Sequence, residues 1–268
     1  MGQAGEPQPE HGTGAAISIE NRQGQSDFVL LVDHASNVIP PEYGDLGLSA
    51  EARVAHIAWD PGALGTAREM ARLLDAPLIY PQVSRLIIDC NRQHDAHDLI
   101  PAVSETTRIP GNENLTERER QKRIALAHAP FHAAAEALLA ERDARGQASI
   151  VVSVHTYTPV YKGVSRPWEI GIIAAQDRRL ADFLIRELEA EGGLTVGDNE
   201  PYSPADGVYY TVNRHGESQG RACVMIEVRN NELVTAEQER EWGARLARIL
   251  EAARARIGLS GGKGSGNA

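Results

Sequence analysis

A three-layer α/β/α domain on a mostly parallel, mixed sheet is the fold this sequence predicts, and three observations carry the prediction. Strand-length apolar runs alternate with helix-length segments along most of the chain, the pattern of βα layering. The runs are apolar at nearly every position, as in strands that are buried. Four of them end in polar residues: Val32 leads into Asp33-His34, Ile88 into Asp89-Cys90-Asn91-Arg92, Val154 into His155-Thr156-Tyr157, and Ile226 into Glu227-Val228-Arg229. In open α/β sheets that edge is where ligands bind.

Taken in order, residues 1–15 are rich in Gly, Pro, Gln and Glu, a composition that cannot offset the entropy of ordering, and they read as a leader. A strand follows near 27–33. The helix expected over 49–74 opens on Ser49-Ala50-Glu51, a capping hydroxyl with an early carboxylate for the free N–H groups and the positive dipole end. Strands are expected near 78–80 and 85–89, then a long polar segment over 93–114. Thr116, Glu117 and Glu119 open a helix over 116–145 by the same capping logic. Strands near 149–155 and 169–175 flank no helix, whereas a helix over 177–191 follows them. After a second polar segment at 192–221 come a strand at 222–229 and a helix at 235–257, whose Trp242, Leu246, Ile249 and Leu250 recur at helical spacing and should pack on the sheet. Residues 259–268 read as a Gly-rich tail, which leaves one domain over 16–258. The two polar segments are long enough to carry function.

Composition narrows the function classes. Of the residues 42% are apolar and 24% charged, ordinary for a globular protein. Twenty-seven basic against 37 acidic residues give a net charge of −10, which argues against a nucleic-acid partner. No stretch approaches the roughly 20 apolar residues of a membrane span, and the N-terminus lacks an apolar signal core. Cys90 and Cys223, both in apolar surroundings, are expected to be unpaired core thiols. A cytoplasmic protein is the expectation.

His34 and His155 each terminate a strand run, so two imidazoles distant in sequence can meet at one sheet edge. Catalytic zinc takes about three protein ligands from His, Cys, Asp or Glu and keeps one position open. Asp60, in Trp59-Asp60-Pro61-Gly62, is the preferred third ligand; a helix-capping carboxylate ahead of Pro61 is the competing reading, with Asp33 and Asn37 as substitutes. His56 fits packing around the site. The pair His128 and His132 lacks the intervening acid of a zincin helix, and His94 and His97 lie in a polar loop. Glu227 ends an apolar run, where a carboxylate is costly unless paired. It reads either as a general base or as the partner of Arg229 in an ion pair. Arg85, Asp89 and Asn91 share strand parity, and Arg92 at the exit can grip a carboxylate with its planar fork. Tyr202, in a turn-rich loop, can present its hydroxyl to a substrate, and Arg166 to Glu169 can form another wall. No Gly-rich phosphate loop and no Gly-x-Ser-x-Gly elbow are present, which weakens nucleotide and serine-hydrolase readings.

These residues together resemble the N-formylglutamate amidohydrolase family, in register from about residue 28 to 250. The likeness rests on Asp33-His34-Ala35-Ser36-Asn37 with Pro40, on Asp60, on Ser84-Arg85 with Asp89-Cys90-Asn91-Arg92, on Val154-His155-Thr156, on Asn199-Glu200-Pro201-Tyr202, and on Ile226-Glu227-Val228-Arg229. Through that family's relation to zinc carboxypeptidases, the resemblance implies a phosphorylase/hydrolase-like fold. It also implies a carboxylate-binding Asn91-Arg92 pair, a zinc-binding His155 and a catalytic base at Glu227. Two departures mark a divergent branch: His34-Ala35-Ser36-Asn37 stands where the peptidases have His-x-x-Glu, and Thr156 stands where the common amidohydrolases have Ser.

The expectation is therefore a zinc amidohydrolase of amino-acid metabolism acting on a small N-acyl amino acid with a free carboxylate, such as N-formylglutamate. His34, Asp60 and His155 hold the metal, Glu227 is the base and Arg85 steadies the oxyanion. Asn91, Arg92, Tyr202 and Arg229 bind substrate. The alternatives are a non-catalytic binding protein on the same scaffold and a carboxypeptidase-like metallopeptidase.

Overall fold

The computed structural model describes residues 16–256; the leader, the tail and the last two residues of the expected domain lie outside them. The strands, in chain order, are β1 (Ile17–Glu20), β2 (Phe28–Leu31), β3 (Leu78–Pro81), β4 (Val103–Ser104), β5 (Thr107–Arg108), β6 (Ile150–Tyr157), β7 (Val160–Tyr161), β8 (Val164–Ser165), β9 (Ile170–Ile173), β10 (Val196–Asp198) and β11 (Cys223–Arg229). Seven form one sheet in the order β1-β3-β2-β6-β11-β9-β10. Strands β3, β2, β6 and β11 are parallel, while β1 at one edge and the β9–β10 pair at the other run against them. The sheet is mixed and mostly parallel, as expected. Two short hairpins, β4–β5 and β7–β8, lie outside it.

Alternate residues of the central strands feed the two faces. Phe28, Leu30, Val152, Val154, Ile226 and Val228 pack with α2 (Ala63–Leu74), α5 (Arg179–Glu191) and α7 (Ala236–Arg256). On α7, Trp242, Leu246, Ile249 and Leu250 are all buried in that layer. Thr235 and Gln238 cap its start reciprocally: Gln238 N donates to Thr235 Oγ1 (3.2 Å) and Thr235 N to Gln238 Oε1 (3.0 Å), a capping box. Val29, Leu31, Val151 and Met225 face the other way, onto Phe131 and Leu138 of α4 (Ala129–Ala144) and Val212 of α6 (Tyr210–His215). A third cluster, with Leu46, Ile57, Leu86, Ile87, Ile88 and Leu99, sits beyond the strand ends.

Four expectations are corrected. The segment 85–89 is not a strand but a series of turns. Ser84 Oγ accepts from Leu86 N (3.1 Å), and the carbonyls of Leu86 and Ile87 receive side-chain donors from Asn112 (2.8 Å) and Arg123 (3.3 Å). With its polar groups satisfied locally, the run needs no neighbouring strand. The helix expected over 49–74 is broken into α1 (Ala50–Val54) and α2: Ala55 leaves the helix at ψ 162°, Asp60 before Pro61 is disfavoured in helical geometry, and Gly62 sits at φ +84°. Over 116–145, α3 (Glu117–Arg123) passes through a π-helical turn at Ile124–His128 before α4; Pro130 cannot donate to the preceding turn, which accounts for the irregularity. The short strands β1 and β10 fall outside the expected strands.

Candidate metal centre

Strands β2, β6 and β11 are parallel neighbours, so their C-terminal ends lie side by side. The register sets Glu227 of β11 opposite His155 of β6, and Leu31 of β2 opposite Ser153. Asp33 and His34 follow directly on β2. Asp60 arrives from another direction: its N–H donates to His34 O (2.9 Å), and it occupies the turn just before α2. The N-cap of α2 is Gly62, so the carboxylate of Asp60 is not a helix cap.

His34, Asp60 and His155 are all buried, and one ligand atom from each lies within 4.8 Å of the others. Asp60 Oδ2 is 3.3 Å from His34 Nδ1 and 2.9 Å from His155 Nδ1. The opposite nitrogens each meet a second carboxylate. His155 Nε2 lies 3.0 Å from Asp33 Oδ2, and His34 Nε2 lies 2.8 Å from Asp89 Oδ1. When each Nε2–H is donated to an aspartate, loss of the second imidazole proton frees Nδ1 on the side facing Asp60, the carboxylate–histidine arrangement that orients metal-binding imidazoles. Ligands about 2.1 Å from a tetrahedral ion are roughly 3.4 Å apart, near the two Asp60–histidine spacings of 3.3 and 2.9 Å. The donor set thus fits a divalent cation, and a buried His34–Asp60–His155 group can hold one.

The electrostatics point the same way. Burial alone would raise Asp33, but the hydrogen bond and charge of His155, helped by His34 and Thr211, bring its pKa down to about 2. Asp60 and Asp89 are likewise held low against burial, Asp60 chiefly by the two histidines and Asp89 first by Arg85. His155 is drawn well above its usual range by Asp33 and Asp60 despite burial. Three ionised aspartates gathered in the interior form a site that favours positive charge.

Glu227 differs from these aspartates. It is 3% exposed and is the one carboxylate among the described residues with a buried oxygen, Oε2, that makes no hydrogen bond. Desolvation first, with the charge of Asp60 adding, pushes its carboxyl up to about 7 against the pull of His155, His34 and Arg85. The ion pair with Arg229 is not formed. Arg229 turns to Glu169 (2.9 Å), Glu232 (3.1 Å) and the carbonyls of Arg166 and Pro167, and it does not line the cavity into which Glu227 opens.

That cavity, of about 250 Å³, is lined by the three metal-donor residues, Glu227, Arg85, Asn91, Arg92 and Tyr202 among others. Arg85 bridges Asp60 (3.4 Å) and Asp89 (2.6 Å). Arg92 donates Nε to Asp98 (2.7 Å) and Nη1 to Asn91 O (3.0 Å); its Nη2 has no partner among the described residues. Asn91 is a strap rather than a free hand, since its Nδ2 donates to Val208 O and its Oδ1 accepts from Thr211 N (2.9 Å). The hydroxyl of Tyr202 accepts from Arg166 Nη2 (3.1 Å). Gly171 and Gly197 make room for the loop that carries Tyr202: a Cβ at either would meet Glu200 O, at 1.9 and 2.6 Å.

Several contributors had little or no signal in the sequence. Thr211 Oγ1 donates to Asp33 Oδ1, and Ser153 Oγ to Asp33 Oδ2 (2.9 Å); neither lies in a recognisable motif. His128 and His132 meet the carbonyls of Arg92 (2.8 Å) and Cys90 (2.9 Å), holding the backbone that presents Asp89 and Arg92.

The family model described as N-formylglutamate amidohydrolase matches residues 26–234. Gene product Atu2144 from Agrobacterium tumefaciens is 40% identical in sequence, with a TM-score of 0.89 over 91% of this chain and 97% of that one. N-formylglutamate amidohydrolase from Ralstonia eutropha JMP134 is 20% identical and shares the fold, with a TM-score of 0.64 over 91% of this chain and 97% of that one. No curated protein matches the chain. A family match across most of the sequence, on a sheet that gathers the strand-end residues into one buried cavity, shows that this chain belongs to the N-formylglutamate amidohydrolase family.

Proposed function

We propose that this chain is a metal-dependent amidohydrolase that cleaves the amide of a small N-acyl, and specifically N-formyl, amino acid in amino-acid metabolism. One observation carries the reading: Nδ1 of His34, Nδ1 of His155 and Oδ2 of Asp60 converge on the wall of a cavity into which Glu227, a carboxylate with an unpartnered oxygen, also opens. We assign the bound ion as zinc, which would activate a water and polarise the amide carbonyl.

The chain's own residues supply the remaining chemistry. Asp33 and Asp89 hold His155 and His34 in the tautomer that leaves Nδ1 free. Glu227 takes a proton from the water that attacks the amide carbon and delivers it to the departing nitrogen, a role matched to a carboxyl near neutrality. Arg85 faces the charge that develops on the carbonyl oxygen. Nη2 of Arg92 receives the substrate carboxylate, Asn91 fixes the loop behind it, and Tyr202 closes one side. Arg229 contributes by tying the end of β11 to the Glu169 segment. The catalytic unit is a single domain over 16–258. Its two cysteines are free and buried, which suits a reducing compartment, and we place it in the cytoplasm. The net charge of −10 speaks against nucleic acid as a partner. Among the described residues no helix is long and apolar enough to cross a membrane.

The test is metal analysis combined with turnover of N-formyl and N-acetyl amino acids. Glu227→Gln should keep its metal and fold while losing about 10²- to 10⁴-fold in kcat. Full activity in that variant, or a protein that neither binds metal nor hydrolyses these amides when metal is supplied, would overturn the reading.

A further inference from the structure

The cavity carries more negative than positive charge on its walls. Its lining includes five carboxylates, Asp60, Asp89, Asp98, Glu105 and Glu227, against two guanidinium groups, Arg85 and Arg92. Both arginines are already engaged, Arg85 between Asp60 and Asp89 and Arg92 with Asp98. A divalent cation at the donor cluster offsets two of the three excess charges, so the lining offers a second anion no surplus of positive charge. The chain as a whole, at −10, adds a long-range field of the same sign. One substrate carboxylate can meet the open Nη2 of Arg92. A second has no arginine or lysine left to meet among the lining residues.

The outer rim sharpens the point. Glu105 sits at the tip of the β4–β5 hairpin with φ +53°, and its side chain is 24% exposed. Its Oε1 lies 2.9 Å from His56 Nε2, beside Pro101 and Val103 in the lining. Elsewhere around the cavity the lining includes Tyr157, Tyr161 and Tyr202, whose rings surround Arg166 at 5.6, 4.5 and 4.8 Å. Those rings already hold the Arg166 guanidinium, so the preference comes from the carboxylate rim, which favours a neutral or cationic side chain over an anionic one.

We propose that the substrate is an N-acyl amino acid with a single carboxylate and an uncharged or cationic side chain, and that Glu105 discriminates against a dicarboxylate such as N-formylglutamate. This rests on the reading of the cavity as an N-acyl amino acid site. Calorimetric titration of the zinc-loaded Glu227→Gln protein with N-formylglutamate, N-formylglutamine and N-formylarginine tests it without turnover. The glutamine compound, nearly isosteric with the glutamate one, should bind about tenfold more tightly, near 1.4 kcal/mol, and the gap should shrink as salt is added. Glu105→Gln should narrow the gap to about threefold, and Glu105→Lys should close it. Equal or tighter binding of N-formylglutamate, or a gap untouched by both Glu105 variants, overturns the proposal, as does failure of all three compounds to bind. Turnover by the native enzyme reports separately on the hydrolase reading: a binding preference without hydrolysis would sink that reading and leave the specificity standing.

Discussion

Replacing Asp33 with Asn asks directly whether the paired aspartates behind the histidines serve a metal. Asp33 Oδ2 receives His155 Nε2 (3.0 Å) and Ser153 Oγ (2.9 Å), and Oδ1 receives Thr211 Oγ1. An Asn side chain can keep its carbonyl toward His155 and turn its amide to Thr211, whose hydroxyl can accept that bond while donating to Cys90 O (3.4 Å). The tautomer of His155 is therefore preserved and the buried network stays satisfied, so folding should survive. What is lost is the negative charge that makes the imidazole a stronger base. Removing such a partner costs about 10- to 100-fold in metal affinity, or about 1.4–2.7 kcal/mol. Competition titration against a fluorescent zinc chelator, with circular dichroism as the check on folding, measures this. Asp89→Asn acts on His34 through the same geometry (2.8 Å), but it also takes the partner of Arg85 at 2.6 Å, so its loss should be at least as large. If Asp33→Asn binds zinc within twofold of the native protein, the carboxylate–histidine–metal arrangement is wrong.

Two further perturbations probe parts of the fold that support the site. Gly171→Ala places a Cβ 1.9 Å from Glu200 O, a backbone contact that cannot yield cheaply. We expect a loss of about 1–3 kcal/mol in chemical denaturation together with a raised KM as Tyr202 shifts; an unchanged variant would mean the loop is not held where it lies. His132 is kept neutral by burial first, with His128 and His215 adding, and its pKa falls to about 2 against an ordinary 6.5. Because the unfolded chain takes up a proton there below pH 6.5 and the native chain does not, His132 contributes stability above 6.5 that is lost as pH falls. The stability gap between native protein and His132→Gln should accordingly be about 2 kcal/mol smaller at pH 5 than at pH 7; a gap that does not change with pH would show that His132 titrates normally in the fold.

The central strands and their polar endings were legible because burial on both faces demands continuous apolar residues, whatever the partner strand proves to be. Val29 to Leu31, Ile150 to Val152 and Val224 to Ile226 announce themselves in this way, and His34, His155 and Glu227 stand at or within three residues of the ends of those runs. Helix starts were legible for a local reason too, since the hydroxyls of Ser49, Thr116 and Thr235 each accept from an amide three residues on. The same local logic misread 85–89, whose apolar pattern matches a strand. Its carbonyls are taken by Asn112 and Arg123, from segments well downstream, and no local signal announces such donors. It also could not separate a capping from a ligating role for Asp60. That choice depends on distances to His34 and His155, residues 26 and 95 positions away. The sequence by itself determined the layering and which residues stand at the strand ends, because desolvation and capping act over a few neighbours. Tertiary structure alone decided that Asp33 and Asp89 back the histidines, that Asn91 and Arg229 are bound elsewhere, and that Glu227 is left unpaired. Each of these is set by strand register and by charges brought together from distant segments.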